Sequence, residues 1–200
     1  MSAPIIYLAS ASPRRHEILQ QMNVLHQVLR VPAAPGEDEP RLENETPERY
    51  VRRTARDKAT RATEWILAQS LSHWPVLSAD TTVILDQDIL GKPADCGDAA
   101  QMLGRLSGRT HSVHTAIALA HQGSLLEDVS VTAVRMKKLS AAEIDAYCKT
   151  GEPLGKAGSY GIQGYAARFI EHISGSYTGV MGLPIFETHR LLQAAGLLQS

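Results

Sequence analysis

Cysteine is scarce in this sequence: its 200 residues include only two, Cys96 and Cys148. They form no C-x-x-C pair, so we interpret both as structural thiols and expect a reduced, cytoplasmic compartment. Long apolar runs are absent too. The chain shows no basic segment followed by a long apolar stretch and no apolar run of transmembrane length, so neither a signal peptide nor a membrane anchor is expected.

An excess of charge of one sign is also lacking. The sequence has 20 Lys and Arg against 21 Asp and Glu, a formal net charge of −1. Proteins that bind nucleic acids or membrane surfaces usually carry a large basic excess, so we expect neither kind of partner. Any site for an anion must therefore be a local cluster of cations.

Several common catalytic motifs are missing. The chain contains no G-x-x-x-x-G-K-[ST], no G-x-S-x-G and no G-x-G-x-x-G between a strand and a helix, so a P-loop, a nucleophilic serine and a dinucleotide fold lack support. Its eight histidines form no metal motif. His111 and His114 are three residues apart on a predicted strand and should point to opposite faces.

The periodicity of the apolar residues predicts interleaved strands and helices. Strands are expected at 5–9, 26–31, 76–80 with a β-rich continuation to 85, 110–121, 125–136 and 168–173. Helices are expected at 14–22, from a Thr46 cap onward, at 95–106, from a Ser140 capping box to about 151, and at 184–198. This order predicts an α/β fold of the mixed α+β kind. No flexible linker divides residues 1–200, so we expect one domain.

The segment Ser10-Ala11-Ser12-Pro13-Arg14-Arg15 directly follows the apolar run 5–9. Ser12 is a suitable N-cap and Pro13 suits the first helical position. The free N–H groups of a helix start, two serine hydroxyls and two arginines together suit a phosphate chain. The alternative is a capped helix whose arginines are solvated.

Asp80 follows the apolar stretch 76–79 and is predicted to stand at the end of a strand. In α/β sheets that position faces the ligand crevice. A carboxylate there can take a proton from water or hold a divalent cation. The alternative is an Asp that caps a turn.

Further cations and a glycine-dense loop extend this pattern. Lys58 and Lys92 join the two arginines as candidate phosphate contacts, which makes a triphosphate site with Asp80. Within the loop Gly155–Gly164, Gln163 can donate and accept hydrogen bonds, which suits the edge of a nucleobase. Metal binding could draw on Asp80 and on acids at 37–39 and 88, most of which are expected to be solvated.

The chain resembles the Maf-like nucleotide pyrophosphatases through segments that occur in the same order along nearly its whole length. These segments are Leu8-Ala9-Ser10-Ala11-Ser12-Pro13-Arg14-Arg15, Ala55-Arg56-Asp57-Lys58-Ala59, Ser78-Ala79-Asp80-Thr81-Thr82-Val83, Ile89-Leu90-Gly91-Lys92-Pro93, Leu106-Ser107-Gly108-Arg109-Thr110-His111, residues 156–164 and Gly182-Leu183-Pro184. Each segment alone is weak evidence, but the ordered set is specific.

This resemblance implies a cytoplasmic, often dimeric enzyme with a Maf/ITPase-like two-lobed body around a cleft. It implies cleavage of a nucleoside triphosphate to a monophosphate and pyrophosphate, with Mg²⁺ or Mn²⁺ as cofactor and Asp80 as proton acceptor. Arg14, Thr81 and Gln163 match positions used for substrate choice, and their forms are similar to the subgroup acting on dTTP and UTP. Glu39 is a weaker candidate for a second metal ligand beside Asp80. Gly155 departs from the family pattern, since many relatives have Asp there.

Two alternatives remain open. The substrate could be another nucleotide, such as 7-methyl-GTP or a modified pyrimidine triphosphate. The protein could instead be a nucleotide-binding regulator of septum formation without turnover, although pure binding does not need a general base.

Overall fold

Seven strands form one mixed sheet in the computed structural model, which describes residues 5–32 and 40–198. The strands are β1 (Ile6–Leu8), β2 (His26–Val28), β3 (Val76–Leu85), β4 (Asp88–Leu90), β5 (Thr110–His121), β6 (Ser124–Met136) and β7 (Ile170–Ser174). Their order is β2-β1-β3-β5-β6-β7, and β4 also pairs with β3. Strand β1 is parallel to β2 and β3, while the other pairs are antiparallel. The predicted mixed α/β class is confirmed.

The described residues form six α-helices that pack around this sheet: α1 (Pro13–Gln21), α2 (Pro47–Ala68), α3 (Cys96–Leu106), α4 (Ala141–Cys148), α5 (Tyr177–Met181) and α6 (Ile185–Ala194). Their first residues follow from local capping. The Thr46 hydroxyl accepts from the Arg49 N–H at 3.3 Å, and the predicted capping box between Ser140 and Glu143 is present. Asp95 caps α3 by accepting from the Asp98 N–H at 2.9 Å.

The structure differs from the predicted elements near the C-terminus. Arg168 lies in a short 3₁₀ helix, Tyr165–Phe169, and the last strand begins only at Ile170. The last helix ends at Ala194 because Gly196 adopts φ +70°, a left-handed conformation that terminates helices. Helix α5 has only five residues, too few for a periodic apolar pattern, and sequence analysis missed it.

Strand β3 is longer than the predicted strand, which was expected to end at Asp80. It does not end at Asp80 but continues unbroken to Leu85. Its first half contributes Leu77 and Ala79 to a hydrophobic cluster with β1, α1 and α6, and its second half contributes Val83 and Leu85 to another cluster with α3 and α4. The polar residues 80–82 therefore lie where one strand passes between two cores.

The edge of β3 that faces β1 is paired only at its two ends. Strand β1 pairs with Val76 and Leu77, and β4 pairs with residues 83–85. Among the described residues, no strand pairs with this edge at 78–82. The opposite edge is paired with β5 from Val76 to Ile84. The gap between β1 and β4 leaves this stretch without a strand partner on one side. Asp80 and Thr81 are partly exposed there, while Ser78, Ala79 and Thr82 are buried.

The histidines and cysteines that form no metal or redox motif in the sequence lie in ordinary packing environments. His111 is buried and its Nε2 lies 2.8 Å from the Tyr160 hydroxyl, and burial lowers the pKa of His111 to about 4. Burial lowers the pKa of His114, and the charges of Glu48 and Arg52 on α2 also act on it. His114 therefore lies on the α2 side of the sheet, opposite His111. Cys96 and Cys148 are free thiols at neighbouring ends of α3 and α4. None of the described helices is both long and apolar enough to span a membrane.

We expect Leu103→Ala to lower the free energy of unfolding by about 2–5 kcal/mol, because Leu103 is fully buried in the cluster beneath α3. Urea denaturation measures this loss. The matched control is Leu67→Ala on α2, where the side chain is 57% exposed and the expected change is below about 0.5 kcal/mol. Equal losses in both variants would contradict the assignment of the core.

Candidate functional site

A cleft of about 850 Å³ opens at the unpaired edge of β3. The loop after β1 and the start of α1 form one wall, and the segments at 89–92 and 155–160 form the other. Helix α2 and residues 80–83 of β3 complete the lining. The start of α1 thus lies beyond the C-terminal end of a parallel strand, where helix N–H groups can bind anions.

Asp80 and Lys58 form an ion pair inside this cleft. The Lys58 ammonium, from α2, donates to Oδ1 of Asp80, and the two side chains are 32% and 17% exposed. Helix α2 is held against β3 nearby, since the buried Ser78 hydroxyl donates to the Ala55 carbonyl at 2.6 Å. The carboxylate is therefore fixed by its strand and by a cation from the neighbouring helix.

Thr81 points to the opposite face of β3 and meets Arg15. The Arg15 guanidinium donates to the Thr81 hydroxyl at 3.3 Å, to the Ser10 hydroxyl at 3.1 Å and to the Gly182 carbonyl at 2.7 Å. Arg15 thereby ties three separate segments together. This geometry favours a structural role for Arg15 beside any contact with phosphate.

The cleft is strongly cationic. The described residues that line it include one carboxylate, Asp80, and cationic side chains from several segments: Arg14, Arg15, Arg30, Lys58, Arg61, Lys92 and Lys156. Burial lowers the pKa of Arg15, with Asp80 opposing and Arg14 adding to the shift. Burial also lowers the pKa of Lys156, and the nearby Arg14 lowers it further. Crowded cations of this kind favour an anionic ligand.

The structure brings most of the predicted site residues together. Ser10, Ser12, Arg14, Arg15, Lys58, Asp80, Thr81 and Lys92 all line the cleft. Ser12 is the N-cap residue of α1, but its side chain makes no capping hydrogen bond.

Gln163 is placed differently from these residues. It is exposed and is not part of the cleft lining, although Lys156 and Tyr160 of the same loop are. Glu39 lies outside the described residues, so its predicted role stays a prediction. Sequence analysis missed the cations Arg61 and Lys156, although Arg61 lies three residues after Lys58 on the same helical face.

The described side chains in the cleft offer few oxygen ligands for a divalent cation. Among residues 5–32 and 40–198, no group of three or more His, Cys, Asp or Glu side chains could hold a metal ion. Mg²⁺ is commonly held by one or two carboxylates together with phosphate oxygens and waters. The single carboxylate of Asp80 fits that mode, in which the ligand supplies most of the oxygens.

Fold and site together define a class: a mixed α/β protein with a cationic cleft built around one carboxylate, suited to a polyphosphate ligand. A family model described as Maf-like protein matches residues 5–195. The chain belongs to this Maf-like family, as its ordered motifs predicted.

Individual relatives agree over nearly the full length. The chain is 62% identical over 194 residues to a dTTP/UTP pyrophosphatase of Bordetella pertussis, covering 97% of this chain and 94% of that protein. It is 49% identical over 197 residues to a dTTP/UTP pyrophosphatase of Cupriavidus metallidurans, covering 96% and 98%.

We expect binding of inorganic tripolyphosphate to take up protons at alkaline pH. The lowered pKa of Lys156 means that this ammonium loses its proton earlier as the pH rises, and a bound anion favours the protonated form again. Isothermal titration calorimetry in buffers of different ionisation enthalpy measures the uptake, which should decrease in Lys156→Met. Lys149→Met changes an exposed lysine at the C-cap of α4; it is the control and should behave as wild type. Equal uptake in wild type and Lys156→Met would contradict this account.

Proposed function

We propose that this protein hydrolyses dTTP and UTP to the nucleoside monophosphate and pyrophosphate. One observation carries the proposal: Asp80 is the only carboxylate among the described residues that line an otherwise cationic cleft. A carboxylate repels the phosphate groups, so it does not strengthen polyphosphate binding by itself. Hydrolysis, in contrast, needs a proton acceptor. The names of the relatives, dTTP/UTP pyrophosphatase, support the same reaction and substrates.

In the proposed reaction, a water molecule attacks the α-phosphorus and Asp80 accepts its proton. The new bond joins the water oxygen to the α-phosphorus, and the bond from that phosphorus to the oxygen bridging to the β-phosphate breaks. Pyrophosphate leaves with the electron pair of the broken bond. Lys58 holds the Asp80 carboxylate in place through their ion pair.

Charge stabilisation is the second part of the proposal. Negative charge moves toward the leaving pyrophosphate in the transition state, and preorganised cations in the cleft stabilise it. Arg14, Lys58, Lys92 and Lys156 can serve here because they approach the cleft from different segments. A bound Mg²⁺ or Mn²⁺, held by Asp80 and substrate oxygens, would neutralise phosphate charge.

Substrate choice is proposed for Arg14, Thr81 and Gln163. Arg14 and Thr81 line the cleft, and the Arg14 Nε donates to the Met181 carbonyl at 3.2 Å. Gln163 lies in the loop whose residues 155–160 line the cleft opposite α1. Because Gln163 itself is outside that lining, it would contact a nucleobase that extends past the edge of the cleft. A hydrogen-bonding site of this kind can reject the wrong base strongly. The homodimer and the cytoplasmic location stay predictions.

We expect Asp80→Asn to lower kcat for dTTP by about 10²–10⁴-fold, because the amide cannot accept a proton from water. Pyrophosphate release with Mg²⁺ supplied measures this loss. Asp86→Asn is a matched control, since Asp86 is an exposed turn residue at φ +60°, a conformation that Asn also tolerates. An Asp80→Asn protein with nearly full activity would remove Asp80 from the reaction.

A nucleotide panel separates the proposed substrates from the two alternatives. We expect pyrophosphate release from dTTP and UTP with a higher kcat/KM than from 7-methyl-GTP. A clear preference for 7-methyl-GTP would overturn the assignment of Thr81 and Gln163. Tight dTTP binding without pyrophosphate release, with Mg²⁺ or Mn²⁺ present, would instead favour a regulator that binds nucleotides without turnover.

A further inference from the structure

Glu152 is the only acidic residue between Asp145 and Glu171, and it contacts the loop that carries Lys156 and Gln163. Both of its carboxylate oxygens accept hydrogen bonds. The Tyr147 hydroxyl donates to Oε1 at 2.9 Å, and the Tyr165 N–H donates to Oε2 at 2.9 Å. The carboxylate thus joins the end of α4 to the far end of the loop.

The same residue also reaches the cleft side of the loop. The Lys156 ammonium donates to the main-chain carbonyl of Glu152. The Tyr147 hydroxyl, besides donating to Glu152, accepts from the Gly161 N–H at 3.3 Å. Tyr147 is fully buried, so this chain of hydrogen bonds rests on a rigid base.

Two glycines show how closely the loop packs on this group. A Cβ on Gly164 would lie 2.3 Å from Oε1 of Glu152 and 2.6 Å from Oε2. A Cβ on Gly161 would lie 3.1 Å from the Lys156 Cε. Gln163 lies between these two glycines in the chain, so the loop is packed against Glu152 and Lys156 on both sides of it.

We propose that Glu152 is a positioning residue for substrate selection, which sets the place of Lys156 and Gln163 relative to the cleft. The inference rests on the proposed function, because it assigns those two residues to the substrate. Glu152 does not line the cleft and touches no reacting group. Its effect passes through the loop that it holds.

The charge of Glu152 gives the proposal a second consequence. Glu152 opposes the lowering of the Lys156 pKa that burial and Arg14 cause. Removing this negative charge lowers the Lys156 pKa further. The cation then loses its proton at a lower pH, and affinity for the triphosphate declines earlier as the pH rises.

The test compares Glu152→Gln with Glu143→Gln across pH, using dTTP and dCTP as substrates. Glutamine keeps the size of the side chain but has one acceptor oxygen for two donors. Glu143 on α4 is a matched control: it forms the capping box with Ser140 and pairs with Lys137 instead of with the loop. dCTP matches dTTP in ring size but reverses the hydrogen-bonding pattern of the base edge.

We expect Glu152→Gln to lower the ratio of kcat/KM for dTTP over dCTP about tenfold, the effect of one hydrogen bond to a charged group. The rise of KM for dTTP should begin at a lower pH than in wild type. Glu143→Gln should lose thermal stability with both readouts unchanged. If Glu152→Gln does not fold, Tyr147→Phe removes the bond to Oε1 and should lower the ratio in the same direction.

Two failures are distinguishable. An active wild type whose Glu152→Gln variant loses the same factor with both nucleotides, at an unchanged pH profile, would overturn this inference and leave the function intact. A wild type that does not release pyrophosphate from dTTP would overturn the proposed function, and the inference with it.

Discussion

The interrupted pairing of β3 is the constraint on which the rest of the site depends. One edge of this strand is hydrogen-bonded to β5 almost throughout, which restrains its backbone. The other edge is covered by β1 and β4 only at its ends. Backbone groups at residues 78–82 on that edge need water or a ligand as partners, so the gap is a place for polar chemistry rather than for a core. Because the side chains of a strand alternate, Asp80 reaches Lys58 on one face while Thr81 reaches Arg15 on the other.

The two hydrophobic clusters explain why this gap stays open. Leu77 and Ala79 are buried in one cluster and Val83 and Leu85 in the other, so both halves of β3 are held in place. The segment between them, residues 80–82, is therefore held in place from both sides. Cations that surround it are partly buried, which lowers the pKa of Arg15 and of Lys156. A polyphosphate ligand relieves this repulsion, and preorganised cations do not have to rearrange as charge moves during the reaction.

Local rules were sufficient for many elements. Thr46 and Ser140 cap their helices as predicted, since capping depends on residues three apart in the chain. Asp95, predicted as the first residue of its helix, caps it instead. The prediction of a strand end at Asp80 was wrong because the polar residues 80–82 interrupt the apolar pattern, as the residues of a turn do. Their surroundings, an open edge between two cores, arise from residues far away in sequence. Lys156 was missed as a cleft residue for the same reason.

By itself, the sequence determined the class of fold and the family, and it indicated most of the groups that line the cleft. These depend on local periodicity and on motifs that occur in order along the chain. It also indicated Gln163, which lies outside the cleft lining, and Glu39, which lies outside the described residues. Only the tertiary structure decided that Asp80 lies within a continuous strand, that Arg15 ties three segments together, and that Glu152 holds the loop of Lys156. Each of these depends on contacts between residues that are brought together by packing, and such contacts leave no pattern in the local sequence.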